Sequence, residues 1–350
     1  MELIHGGDWA GFQEQYHQMP LDFSANISPL GTPEGVRRAI ENAAVDRYPD
    51  PLCRELRAAL ARKEALPAEY ILCGNGAAEL IFRVVLARRP RRALLTAPTF
   101  SEYETALRAA ECQVNYHALR KENDFALDEG ILEAIQPGVD MVFLCQPNNP
   151  TGLAAPRSLM GKVLDRCRDV GALLVADESF IEFLDDPGIH SLAGQVEPYK
   201  NLLILKSFTK LFAIPGVRLG YCLSSDSALL KAMAEVGPTW SVSSIAQEAG
   251  LAALCELIYV SEVRQLIQKE RPWLTEQLER LGLRVIPGQA NYLMFQCPTP
   301  LTEPLGQKGI LLRFCGNYRG LDETWYRTAV RTREDNERLI RALEEVLAHG

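Results

Sequence analysis

Four stretches of this sequence put reactive or donor-bearing side chains where an apolar run ends. Lys210 closes Lys206-Ser207-Phe208-Thr209-Lys210, directly after Leu202–Leu205, and Gly216-Val217-Arg218-Leu219-Gly220-Tyr221 follows it. Asp177 ends Leu173–Ala176, and Asn149 lies in Gln146-Pro147-Asn148-Asn149-Pro150-Thr151-Gly152 behind Met141–Cys145. Gly74-Asn75-Gly76-Ala77-Ala78-Glu79 joins Tyr70–Cys73 to a helical pattern. Each has a plain alternative when taken alone. Lys210 reads as a surface lysine, Asp177 as a salt bridge or helix cap, Asn149 as part of a proline-stiffened turn, and the glycine pair as a tight turn.

Taken together, the residue types meet the demands of imine chemistry on pyridoxal phosphate. That chemistry needs an amine able to attack an aldehyde and a carboxylate that keeps the pyridine nitrogen protonated, so that the ring accepts electrons. Lys210 and Asp177 suit these tasks, and a carboxylate buried at a strand end requires a partner in any case. Phosphate needs donors. Backbone N–H groups of Gly76, Ala77 and Ala78 at a helix N-terminus supply them, with the helix dipole behind. Ser207, Thr209 and Arg218 offer two hydroxyls and a guanidinium beside Lys210. An amide held rigidly at Asn149 can donate to the cofactor's phenolic oxygen.

The elements that must position these groups follow from patterning. Short, wholly apolar runs at Tyr70–Cys73, Ala93–Ala97, Met141–Cys145, Leu173–Ala176 and Leu202–Leu205 alternate with helical stretches such as Ala78–Leu86 and Arg157–Val170. This predicts an α/β fold with a mainly parallel sheet covered on both faces and its site at the carboxyl ends of the strands. After Trp240 the pattern turns to long amphipathic helices, including Ser244–Leu278, and then to a short α+β tail. The expected organisation is an arm at 1–34 packed on the small domain or a partner, a three-layer large domain at 35–243 that binds the cofactor, and a small α+β domain at 244–350.

Composition excludes other classes. A net charge of -8 over 350 residues argues against nucleic acid as a partner. No apolar stretch is long enough for a membrane span. Met1 is followed by Glu-Leu-Ile-His-Gly-Gly-Asp, without the basic start and apolar run of an export signal, and the nine cysteines form no CxxC pair or metal-ligand spacing. A cytoplasmic protein with reduced thiols and no metal is expected.

In order and approximate spacing, Asn148-Asn149-Pro150-Thr151-Gly152, Asp177-Glu178, Ser207-Phe208-Thr209-Lys210 and Arg218 resemble the fold-type-I aminotransferase superfamily over nearly the whole chain. The resemblance implies Lys210 as the imine lysine, Asp177 on the pyridine nitrogen, Asn149 on the phenolic oxygen, and Gly76, Ala77, Ala78, Ser207, Thr209 and Arg218 around the phosphate. Phe100, which reads as core from its own surroundings, matches the aromatic that stacks on the ring. Tyr48, otherwise a buried structural tyrosine, matches one that reaches the phosphate in the partner subunit. A homodimer with shared active sites follows.

Within that superfamily the chain is most similar to two groups that handle small phosphorylated amines, the threonine-phosphate decarboxylases of cobalamin synthesis and the histidinol-phosphate aminotransferases. Features resembling the decarboxylases are His5-Gly6-Gly7 with Asp22–Gly31, Phe180 where aminotransferases usually carry tyrosine, and Arg313 with Arg327 and Arg331 near the C-terminus. They imply His5 near the substrate phosphate, a contribution from Asn26, phosphate or carboxylate at Arg313, and a carboxylate clamp at Arg327. The alternative for His5 is a disordered terminal residue, and for Arg331 a structural ion pair. The expected reaction is decarboxylation of threonine O-phosphate, and the alternative is transamination of histidinol phosphate. A pyridoxal-binding regulator without turnover is a remote third reading. Some decarboxylase relatives carry a cysteine-rich tail that is missing here.

Overall fold

The computed structural model describes residues 5–348. Its centre is a seven-stranded sheet in the spatial order Ile71–Gly74, Gly220–Leu223, Leu202–Ser207, Leu173–Asp177, Met141–Cys145, Arg92–Ala97 and Gln113–Ala118. Gly220–Leu223 runs antiparallel to both of its neighbours, and every other pairing is parallel. The central strands are buried along their whole length, which is why they read as unbroken apolar runs. The helices Gly76–Arg88 and Arg157–Val170 belong to the layers over the sheet.

Two strands are added to those expected, and one expected helix is corrected. Gln113–Ala118 is a strand that apolar runs could not reveal, because it is the sheet's edge and its residues are half-buried or exposed. Gly220–Leu223 was hidden inside the arginine-glycine motif. The single helix expected at Ser244–Leu278 is two, Ser244–Ala253 and Leu257–Arg280. The first buries small residues, Ala246, Ala249, Gly250 and Ala253, against the helices Glu34–Glu41 and Arg54–Glu64. The second buries Tyr259, Val263, Ile267, Leu274 and Leu278 beneath the helix Arg333–Ala348 and a separate sheet. Two faces with different partners cannot stay on one axis, so the chain turns at 254–256.

That separate sheet is antiparallel and has four strands, Arg313–Phe314, Trp325–Ala329, Tyr292–Gln296 and Arg284–Val285, in that order. The start of the chain is stitched to it. Leu21–Asp22 pairs in parallel with Ile310–Leu311, and Ala329 N–H donates to Phe23 O at 2.8 Å. Asp8 caps the helix Trp9–Tyr16, and Tyr259 donates to Ser28 Oγ at 2.7 Å. Among the described residues no helix is long and apolar enough to cross a membrane.

Beside the strand that carries Asp177 lies a buried ion pair, Lys206 Nζ to Glu178 Oε2 at 3.0 Å. Glu178 also accepts from Ser191 Oγ and Leu192 N, both at 2.7 Å. Glu64 and Glu182 face the same amine and, with Glu178, hold its pKa above the ordinary lysine value despite burial. Removing one partner of such a pair leaves a charge without compensation, at a cost of roughly 3–5 kcal/mol. With two further carboxylates close by, E178Q should lose about 3 kcal/mol of unfolding free energy. A shifted midpoint with an unchanged slope in urea denaturation would show it.

Candidate active site

A cavity of about 420 Å³ opens at the carboxyl ends of the central strands, and Asp177, Lys210, Asn149, Phe180, Arg218 and Arg327 all line it. Lys210 Nζ donates to Ser207 Oγ at 3.2 Å and lies 5.6 Å from the centroid of the Phe180 ring. Burial pulls the Lys210 amine below the ordinary lysine range, and Arg218 adds to this while Asp177 and Cys145 oppose it. An amine so placed is more often neutral, which is the form that attacks a carbonyl.

Asp177 is nearly fully buried. Its Oδ1 accepts from Ser179 N at 2.9 Å, and its Oδ2 accepts from the Tyr103 hydroxyl at 2.6 Å. Tyr103 was missed at the level of sequence. Its only signal is its place three residues after Phe100, where the first turn of a helix brings the two rings to one side. Phe100 meets Tyr103 edge-on, with ring centroids 5.5 Å apart, and leaves one face on the cavity.

At another wall the helix Gly76–Arg88 points its N-terminus into the cavity, with Gly76, Ala77 and Ala78 on the lining. Gly76 has φ +81°, and a Cβ there would lie 2.8 Å from Arg218 Nη2. Glycine is required on both counts. Arg218, itself at φ 60°, is steadied by its Nη1 on Pro215 O at 3.2 Å. Thr209 lines this end, and Ser207 stands just behind it, with its Oγ 2.8 Å from Thr209 Oγ1. Backbone donors, hydroxyls and a guanidinium thus converge, as an anion requires.

The third wall comes from the far ends of the sequence. Arg327 donates from Nη1 to Asn149 Oδ1 and from Nη2 to Ser24 O, each at 2.6 Å, while its buried Nε has no hydrogen-bond partner among the described residues. Because Asn149 Oδ1 is engaged by Arg327, with Tyr318 Oη a further 3.4 Å contact, the Nδ2 group is left as the donor toward the cavity. Arg313 lies with its guanidinium 5.1 Å from the Tyr318 ring and donates to Asn317 Oδ1 at 3.1 Å. Asn26 is buried on the lining, and its Oδ1 lacks a hydrogen-bond partner. His5 also lines the cavity, ordered by Glu102 Oε1 at 2.7 Å and by the Phe100 ring at 5.6 Å.

Two expected residues lie elsewhere. Tyr48 is not the buried tyrosine that its own surroundings suggested. It is 76% exposed, away from this cavity, and stacks on Trp240 at 4.3 Å. Arg331 makes a structural ion pair with Asp335 at 2.9 Å and donates to Asp22 O at 3.1 Å.

The donor set fits pyridoxal phosphate: a half-buried amine, a buried carboxylate with both oxygens fixed, an amide donor, and an anion cradle at a glycine turn. Comparison with known proteins agrees with the fold. Residues 18–343 match the family model of class I and II aminotransferases, and the chain belongs to that family. It is 41% identical over 333 residues to a threonine-phosphate decarboxylase of Salmonella typhimurium, covering 93% of this chain and 91% of that protein. It is 36% identical over 335 residues to a histidinol-phosphate aminotransferase of Desulfitobacterium hafniense, covering 92% and 91%. The crystal structure of the histidinol-phosphate aminotransferase from Clostridium acetobutylicum superposes with a TM-score of 0.88 at 28% identity, covering 94% of this chain and all of that one.

The geometry at Gly76 makes a direct prediction. G76A should weaken pyridoxal phosphate binding at least about tenfold, because the new methyl displaces Arg218 and strains the turn. Titration of the cofactor-free protein, followed by absorbance, measures this.

Proposed function

We propose that this chain is a pyridoxal-phosphate-dependent carboxy-lyase that converts L-threonine O-phosphate to 1-amino-2-propanol O-phosphate in cobalamin biosynthesis. The observation that carries the choice of substrate is the 41% identity to a threonine-phosphate decarboxylase along 93% of the chain. Phe180 beside Lys210 supports it, because it stands where aminotransferases usually carry a tyrosine. Bound pyridoxal phosphate supplies a sink for the electron pair released when a bond to the substrate α-carbon breaks.

The residues divide the remaining tasks. Lys210 anchors the cofactor and later holds the proton that replaces the carboxylate on the α-carbon. Asp177 faces the ring nitrogen, Asn149 the phenolic oxygen and Phe100 the ring, while Gly76, Ala77, Ala78, Ser207, Thr209 and Arg218 take the phosphate. Arg327 would grip the substrate carboxylate, and a fixed carboxylate is what selects the bond to the α-carbon that breaks. Arg313, His5 and Asn26 meet the substrate phosphate end. In this reading residues 35–243 hold the cofactor, and the arm at 1–34 with residues 244–350 closes the substrate side.

The working unit is a homodimer in which Tyr48 reaches the cofactor phosphate of the partner. The exposed stack of Tyr48 on Trp240 supports it, being a costly apolar surface to leave in water. A cytoplasmic setting suits nine free thiols, eight of them buried.

A second reading, transamination of histidinol phosphate, is favoured by the close superposition on an aminotransferase. One paired assay decides. Incubation with threonine O-phosphate should release carbon dioxide and 1-amino-2-propanol O-phosphate. Histidinol phosphate with 2-oxoglutarate should give no appreciable glutamate, and brisk glutamate formation reverses the assignment. K210A should lose the visible absorption of the bound cofactor and all turnover. Y48F should weaken cofactor retention, and the mass of the unmodified protein by light scattering should be that of two chains.

A further inference from the structure

The cavity lining accounts for Asp177 but not for what holds it. Tyr103 stands outside the cavity, fully buried, on the helix Glu102–Ala109. Its ring stacks on Phe143, with centroids 4.9 Å apart and planes 16° apart, and meets the edge of Phe100 at 5.5 Å. Its hydroxyl ends 2.6 Å from Asp177 Oδ2. Packed on both sides, the ring has no second rotamer to visit, so the hydroxyl is aimed by the core.

We infer that Tyr103 is a positioning residue of the active site, holding the Asp177 carboxylate in one orientation toward the cofactor's ring nitrogen. The inference rests on the pyridoxal phosphate reading given above, and not on which substrate is used.

A carboxylate at the end of a buried strand turns freely about its last bond unless both oxygens are engaged. Ser179 N fixes Oδ1 at 2.9 Å, and the only other side-chain hydrogen bond to this carboxylate among the described residues is that of Tyr103. Burial and the neighbouring carboxylate push the Tyr103 hydroxyl well above its ordinary pKa, so it stays protonated and can only donate to Asp177. Through its contact with Phe100 the same side chain also sets the wall that would lie against the ring. Tyr103 thus links two groups that must agree on the position of one flat ligand.

The two contributions separate cleanly. Y103F keeps every ring contact and removes only the hydroxyl. The test is a cycle of wild type, Y103F, D177N and Y103F/D177N, each prepared free of cofactor and titrated with pyridoxal phosphate by absorbance, with thermal melting as a check on folding. Y103F should melt cooperatively and bind the cofactor about tenfold more weakly, the usual worth of a hydrogen bond to a charged group. In the D177N background the same substitution should change binding less than about twofold, because the carboxylate it served is gone. With substrate, kcat should fall and KM should move little. Equal losses in both backgrounds, or no loss in Y103F, overturns the inference and leaves the cofactor reading intact. A wild-type protein that gains no visible absorption with pyridoxal phosphate overturns the cofactor reading itself. Loss of stability common to both backgrounds cancels in the ratio.

Discussion

The structure depends on holding a carboxylate and an amine together at one cavity. Asp177 ends the strand Leu173–Asp177 and Lys210 follows the adjacent strand Leu202–Ser207, the carboxylate buried and the lysine half-buried. Charge in such a place is expensive unless fixed dipoles answer it. The answers come from several layers: a backbone amide and a core tyrosine for the carboxylate, a hydroxyl for the amine, and a guanidinium near enough to bias the amine toward neutrality. The parallel sheet is what makes this affordable, since its rigid strand ends hold the donors in place.

The substrate side is assembled differently. Arg327, on the strand Trp325–Ala329, reaches Ser24 O in the arm and Asn149 Oδ1 in the proline-rich turn. One guanidinium therefore joins three parts of the chain that are far apart in sequence. Its remaining Nε and the unpartnered Asn26 Oδ1 are polar atoms that the protein leaves unsatisfied within the chain. Such atoms cost stability, and they are characteristic of a surface shaped for something that binds.

Much of this was legible in the residues alone, for stateable reasons. Buried strands must be apolar nearly throughout, so five of the seven could be read directly, four central ones and the edge strand Ile71–Gly74. Lys210, Asp177 and Asn149 were legible because each follows such a strand immediately. What escaped had no one-dimensional signature. Gln113–Ala118 is an edge, with a composition that serves water as much as the core. The turn at 254–256 contains neither glycine nor proline and follows from where two helices pack. Tyr103 looks like any helical aromatic until the fold sets its hydroxyl against Asp177, 74 positions away in the chain. Tyr48 was readable only by likeness, because its exposure within one chain says nothing of what covers it.

The pairing of Leu21–Asp22 with Ile310–Leu311 bears on how the molecule comes into being. A chain emerging from the ribosome offers its arm first and the arm's docking strand almost last. The sheet can close while synthesis continues, because its strands lie between residues 71 and 223. The arm must wait, unpaired, until residues 310–311 have been made. The pocket that Arg327 completes is accordingly a late product of folding, so a ribosome-bound chain can have a finished sheet and still lack the grip on its substrate.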